Sequence, residues 1–182
     1  MAEVETEPET KAATDPETKA ATKTETKADS MVGEIWIDVD IKASAEKFHH
    51  MFAKRPHHVS NATPRHIGGV ELHEGDWDKV GSIVLWNYIH EGKSKVAKDR
   101  IEAVDPEKNL IKFRVLEGDV LKECKTFLIT LQVTPKQGGP GSVARWHLEY
   151  ERIDEKVAHP ETLLPFLELM SKEIDEHLLS TE

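Results

Sequence analysis

From Glu34 to Ile41 the chain reads EIWIDVDI, with Ile35, Ile37, Val39 and Ile41 alternating against polar or amphipathic neighbours. A period of two puts those four side chains on the buried face of a strand. The period then changes. In KASAEKFHHMFAKRP, Ser44 suits an N-cap, Phe48, Met51 and Phe52 gather on one helical face, and Pro56 stops the helix. A second short helix is expected from Pro56 to about residue 60. Strand-like runs follow at about 66–73, 80–90, 93–104, 109–118, 122–134 and 143–153. Their separators, EGDWDKVG, HEGK, DPEKN, EGD and PKQGGPGS, are rich in turn residues. The end returns to a helical period, since Leu163, Leu167, Met170, Ile174 and Leu178 recur at spacings of three and four. Pro160 suits the first helical position, and Pro165 is expected to kink the first turn or delay the regular helix beyond it.

Strand, helix pair, six strands and a long helix make an α+β fold. Seven strands at about 4.8 Å spacing form a sheet roughly 30 Å wide, whereas a helix with its side chains is about 10–12 Å across. One helix cannot cover a flat sheet of that width, so the sheet must curl around it, and curvature leaves space for a small apolar molecule. Alternation names the residues facing that space. Lys112 and Arg114 mark the wet face of their strand, which turns Ile111, Phe113 and Val115 inward. Phe127, Ile129, Leu131 and Val133 share one face, and so do Trp146, Leu148 and Tyr150. Both parities are apolar in residues 82–89, where Val84, Trp86 and Tyr88 are taken as inward. Leu167 and Met170 close the space from the helix. A solid core of the same residues is the competing reading. Buried Trp and Tyr tips need polar partners, which favours a site that orients a ligand.

The first thirty residues differ from the rest. ETKAATDP, ETKAATKT and ETKAD start at Glu9, Glu17 and Glu25, a period that collects no apolar face. Residues 1–30 are expected to be a disordered tail, and residues 31–182 the ligand-binding domain. The tail is too acidic for an organellar transit peptide, and no basic-then-apolar secretory signal or membrane-spanning run is seen. The formal charge of −10 opposes nucleic-acid binding. Cys124 is the sole cysteine, which fits a reducing compartment, and a cytoplasmic monomer without stable membrane insertion is expected.

Other chemistry is weakly encoded. Gly75 to Ser82, GDWDKVGS, lacks the spacing and the following helix of a phosphate loop, and its two aspartates would repel an anion. The adjacent pairs His49–His50 and His57–His58 cannot easily face one ion, so no metal is expected. A nucleophilic role for Cys124 is disfavoured against inert packing. No cofactor and no catalytic residue is assigned.

DIKASAEKFHHMF, LHEGDWDKVGSIVLWNYIHEGK, VAKDRIEAVD, NLIKFRVLEGD and HPETLLPFLELMSKEIDEHLL closely resemble the plant major latex protein subfamily of the Bet v 1-like (START-like) superfamily, over residues 32–180. That resemblance implies a helix-grip fold, in which a curved seven-stranded antiparallel sheet and two short helices enclose a cavity under a long C-terminal helix. It implies non-catalytic carriage of a lipid, sterol-like or hormone-like metabolite, in defence or stress response. Gly75, Trp77 and Gly81 would lie in a loop at the cavity mouth. The SGLPA gate and HRL latch of the hormone receptors are absent, YIHEGKSK and LEGDVLKE standing at those turns. Enzymes of the superfamily need a lysine, a carboxylate and a tyrosine inside the cavity. Lys125 shares the parity of Phe127 and is the candidate to approach Tyr88, with no carboxylate assignable. An enzyme using the same cavity, or an interaction protein with a vestigial one, are the alternatives.

Overall fold

The structure, a computed structural model, describes residues 20–26 and 31–181. Strands β1 (Ala20–Thr26), β2 (Val32–Ile41), β3 (Ile67–Glu74), β4 (Ile83–His90), β5 (Lys93–Asp105), β6 (Leu110–Gly118), β7 (Cys124–Pro135) and β8 (Ser142–Arg152) form one antiparallel sheet. Its spatial order is β1-β2-β8-β7-β6-β5-β4-β3. Helices α1 (Ala45–Ala53) and α2 (Val59–Ala62), joined by a 3₁₀ turn at Pro56–His58, follow β2, and α3 (Leu163–Ser180) closes the concave face. The seven strands β2 to β8 with these helices are the expected helix-grip arrangement.

β1 is a correction to the sequence reading. It falls inside the segment expected to be disordered, and it pairs with β2 from Ala20 opposite Val39 to Thr26 opposite Gly33. Without β1 the outer edge of β2 would be a row of open backbone donors and acceptors, and an extended segment needs no apolar face to satisfy them. The remaining residues of the repeat, 1–19 and 27–30, lie outside the described residues.

Alternation correctly sorts most strand side chains. Ile35, Ile37, Val39 and Ile41 are buried, as are Ile111, Phe113 and Val115, and Trp146, Leu148 and Tyr150. Val84, Trp86 and Tyr88 are buried too, which settles the parity of β4. Ser44 Oγ accepts from Lys47 N–H at 3.2 Å and caps α1, whose Phe48, Met51 and Phe52 are all buried. At the other end, Pro160 lies in a bend and α3 begins three residues later. Pro165 sits in the first helical turn, where its missing N–H has no intrahelical acceptor to lose.

Helix α3 is fixed over the sheet by polar bonds as well as by its apolar stripe. The Asp175 carboxylate accepts from Lys42 N–H at 2.8 Å and from Ala43 N–H at 2.9 Å, tying α3 to the β2–α1 corner. Ser171 Oγ accepts from the Trp146 indole at 2.8 Å. Glu173 accepts from Thr63 Oγ at 2.6 Å and His66 Nδ1 at 3.1 Å. Burial opposes ionisation of Glu173, yet those two bonds hold its carboxyl below the usual range.

Two outcomes test this seating. Asp175→Ala strands two backbone donors and is expected to cost about 2–4 kcal/mol in urea unfolding. Met170→Lys puts a charge where a buried apolar side chain contributes about 1.5–3 kcal/mol, and should unfold the protein or lower its Tm by many degrees. Lys172→Glu, on the wetter flank of α3, should shift Tm little. Equal tolerance of the last two changes would displace α3 from the sheet.

Candidate functional site

Beneath α3 the concave face leaves an apolar inner chamber of about 100 Å³. Its walls come from β3 to β6 and β8 (Ile67, Trp86, Tyr88, Ala97, Phe113, Val115, Trp146), from α1 (Phe52) and from the turn after β6 (Val120). Its roof is Leu163, Phe166, Leu167 and Met170 of α3. Four rings form a connected aromatic wall. Phe52 meets Trp146 edge-on at 5.2 Å and tilts against Trp86 at 6.3 Å, and Trp86 meets Phe113 edge-on at 5.9 Å between centroids. Trp146 spends its indole N–H on Ser171. Trp86 has no partner for its own.

An outer, more polar chamber of about 280 Å³ shares Tyr88, Val120 and Leu163 with the inner one. Its lining includes His90, Lys95, Asp119, Cys124, Phe127, His159 and Thr162, and the exposed Lys122 and Glu123 stand at its rim. Most of its polar groups are engaged. Lys95 Nζ donates to His90 Nδ1 at 3.3 Å, which leaves His90 Nε2–H to donate to Thr162 O at 3.2 Å. Asp119 accepts from Val96 N–H at 2.8 Å and from Lys122 Nζ at 3.3 Å. The Tyr150 hydroxyl, pushed up to about 12 chiefly by burial, meets His159 Nδ1 at 2.5 Å. Burial likewise raises Tyr88, with Asp119 and Asp99 adding to the effect. The Cys124 thiol is pushed up to about 11 by burial, so it stays protonated at neutral pH and is a poor nucleophile.

Of the thirteen side chains expected around the cavity, Trp86, Tyr88, Phe113, Val115, Trp146, Leu167 and Met170 line the inner chamber, and Phe127 lines the outer one. Val84, Ile111 and Leu148 are buried in the packed core beside it, Tyr150 is held by His159, and Ile129 is only partly buried. Sequence reasoning missed Phe52, although it was placed on the buried face of α1, and Phe166, which a spacing of three from Leu163 would have found.

Two expectations fail on geometry. Lys125 points outward, with its side chain 59 % exposed and 3.6 Å from Glu151. The ladder between β7 and β8 shifts register from Cys124 to Thr126, so parity cannot be carried through Lys125. The loop of Gly75, Trp77 and Gly81 contributes to neither chamber wall. It is pinned to the helix pair instead, Trp77 stacking on His57 at 4.3 Å and Asp78 lying 3.5 Å from Lys54. Gly75 and Gly81 have φ of +91° and +94°, and a Cβ on Gly75 would fall 2.2 Å from Ser82 Oγ. The same hydroxyl accepts from Asp76 N–H at 2.8 Å, and the glycines serve the turn. Among the described residues no group of three or more His, Cys, Asp or Glu is placed to hold a metal ion.

Asp99 is the least expected occupant of the concave face. It is 4 % exposed, its Oδ1 has no partner, and burial pushes its carboxyl up to about 8. A carboxyl raised from the unfolded value near 4 stabilises the fold fully only below about pH 4, and that contribution fades as pH climbs to about 8. Asp99→Leu should therefore be more stable than wild type by about 2–4 kcal/mol at pH 8, with a smaller gap at pH 5. Urea unfolding at both pH values measures the difference, and a gap independent of pH would mean that Asp99 is solvated.

The geometry agrees with that of known proteins. The chain is 71 % identical over 153 residues to MLP-like protein 31 of Arabidopsis thaliana, covering 84 % of this chain and 90 % of that one. It is 69 % identical to MLP-like protein 28 of the same plant over 84 % of its own length, and spans 46 % of that relative. The crystal structure of ginseng major latex-like protein 151 from Panax ginseng superposes with a TM-score of 0.77 at 37 % identity, over 81 % of this chain and 97 % of that one. Norcoclaurine synthase from Thalictrum flavum, solved with dopamine and hydroxybenzaldehyde, shares the fold with a TM-score of 0.66 at 21 % identity, over 98 % and 99 % of the two chains. The sequence model of the pathogenesis-related protein Bet v 1 family matches residues 30–181, and the chain belongs to that family.

Proposed function

We propose that this protein binds a small apolar or amphipathic molecule under α3 and carries it without transforming it. The observation that supports the reading most is the aromatic inner chamber lying beside a more polar one that shares Tyr88, Val120 and Leu163 with it. Such a pair of chambers suits a ligand with an apolar body and a polar end. A single ring fits the inner chamber alone. A sterol-like or lipid ligand has to occupy both, with Leu163 and Val120 giving way between them. The kinship with major latex-like proteins and the family's pathogenesis-related description favour a metabolite of plant defence or stress, held by a cytoplasmic monomer.

Carriage is favoured over catalysis because the polar groups of the outer chamber are committed to structural bonds. Lys95 is bonded to His90 and Asp119 to Val96 and Lys122, while Lys125 faces outward. A general acid or base needs a group free to exchange its proton with substrate. The fold shared with norcoclaurine synthase carries no further weight at that identity.

The test is the uptake of anilinonaphthalene sulfonate, an amphipathic dye large enough to occupy both chambers, with its anion in the outer one. One-to-one binding, displaced by a fatty acid, is expected. Val115→Phe fills the inner chamber and should weaken uptake by about tenfold while leaving Tm nearly unchanged. No dye binding, together with destabilisation of Val115→Phe by about 1–3 kcal/mol, would mean a solid core and transfer the function to the protein's surface.

A further inference from the structure

The sheet has one strand more than the region matched to the family supplies. That match begins at residue 30, so β2 to β8 fall within it and β1 comes from the repeat that precedes it. β1 is the terminal strand and pairs with β2 alone. The edge it covers is long and regular. β2 keeps an unbroken register against β8 from Val32 opposite Glu151 to Ile41 opposite Ser142, whereas β3, at the other end of the sheet, meets β4 through two register shifts. A regular edge is a template for a further strand, and irregularity blunts one.

β1 matches that template imperfectly. Its register sets Glu25 opposite Glu34, and like charges directly opposite each other weaken a pair of strands. Opposite the buried Ile35 and Ile37 stand Thr24 and Thr22 rather than apolar residues. Two copies of the repeat differ where it matters for pairing. Residues 12–18 read AATDPET and residues 20–26 read AATKTET, so Asp15-Pro16 in one copy becomes Lys23-Thr24 in the next. Proline has no N–H to give a ladder, and the copy that forms β1 is the one without it.

We propose that the outer edge of β2 is a strand-addition site for an extended segment of a partner protein, with β1 as its built-in, displaceable cover. The segment it fits is free of proline, has β-branched apolar residues opposite Ile35 and Ile37, and has Lys or Arg opposite Glu34. Residues directly opposite share a face of the sheet, so apolar residues at those places extend the buried side of β2. Glu34 is the acid of β2 best placed to select a basic residue. Asp38 is held by Arg145 through bonds of 2.6 and 2.8 Å and Asp40 pairs with Lys136, whereas the partner of Glu34 is the His147 ring at 2.7 Å. A second copy of β2 is a poor occupant. With the buried parity kept, antiparallel registers that overlap most of the two strands set Glu34 against Asp38 or Asp40, and a net charge of −10 adds repulsion between whole chains. Main-chain bonds supply the affinity of strand addition, and alternate side chains supply its specificity. A cover tethered by a short link competes at an effective concentration on the order of millimolar, so the incoming segment has to match the edge better than β1 does.

The probe is a fluorescent peptide of residues 19–27 carrying Thr22→Ile, Thr24→Val and Glu25→Lys, titrated into the full chain by anisotropy while amide hydrogen exchange reads β2. Lys23→Asp with Thr24→Pro in the full chain writes the upstream copy into β1 and should open the edge. The β2 amides should then exchange faster, and the probe should bind about tenfold or more tighter than it binds wild type and restore their protection. A peptide with Thr24→Pro in place of Thr24→Val should not bind. Glu34→Lys in the opened chain should weaken the probe by about threefold or more relative to a peptide that keeps Glu25. Thr24→Pro alone carries the test if the double variant does not fold, and loss of folding in both would make β1 integral to the sheet and overturn the proposal. So would equal binding to opened and wild-type chains, or no binding to the opened chain. A concentration-dependent dimer of either chain that protects β2 without peptide would assign the edge to a second copy instead.

Discussion

Everything about the candidate site depends on α3 being held at a fixed height above a curved sheet. Dispersion alone would draw the helix down until its side chains filled the hollow, because empty space beneath them forfeits contacts. The polar bonds oppose that collapse. Asp175 ties the C-terminal half of α3 to the amides of Lys42 and Ala43, Ser171 meets the Trp146 indole, and Glu173 joins Thr63 and His66. These partners lie on different elements, so α3 cannot descend without breaking several directional bonds at once. Large rings on the sheet, Trp86, Phe113 and Trp146, then prop the roof from below.

The two chambers follow from the composition of what surrounds them. Toward α1 the walls are aromatic and aliphatic. Toward the segment before α3, His90, Lys95, Asp119 and His159 gather, and Lys95 bonds His90 while His159 bonds Tyr150. A ligand crossing from one to the other passes Tyr88, whose raised hydroxyl remains protonated and so presents no charge to an apolar body.

The fold was largely legible because seven strands and α3 each bury one face, and a buried face imposes a period on the sequence. The cap at Ser44 came from helix-start chemistry, whereas both parities of β4 are apolar and periodicity alone could not choose between its faces. What escaped it was whatever broke periodicity. The bulge beside Lys125 reversed a side chain that parity placed inward. Asp99 lies inward between Ala97 and Ile101, where the rule that charge marks the wet face fails. Strand β1 is held by backbone pairing along β2, and such pairing leaves no apolar signature in its sequence. The glycines at 75 and 81 were rightly read as turn residues, while the seat of their loop depends on His57 stacking on Trp77, a contact between segments that no local pattern encodes.

Binding under α3 requires an apolar space between the helix and the sheet in the folded protein. Crystals pressurised with xenon test it most directly, since xenon enters dry apolar cavities and scatters strongly. A xenon site ringed by Trp86, Phe113, Val115 and Met170 is expected, with the α3 backbone unmoved. Side chains packed across that position, with no xenon between α3 and the sheet, would contradict it.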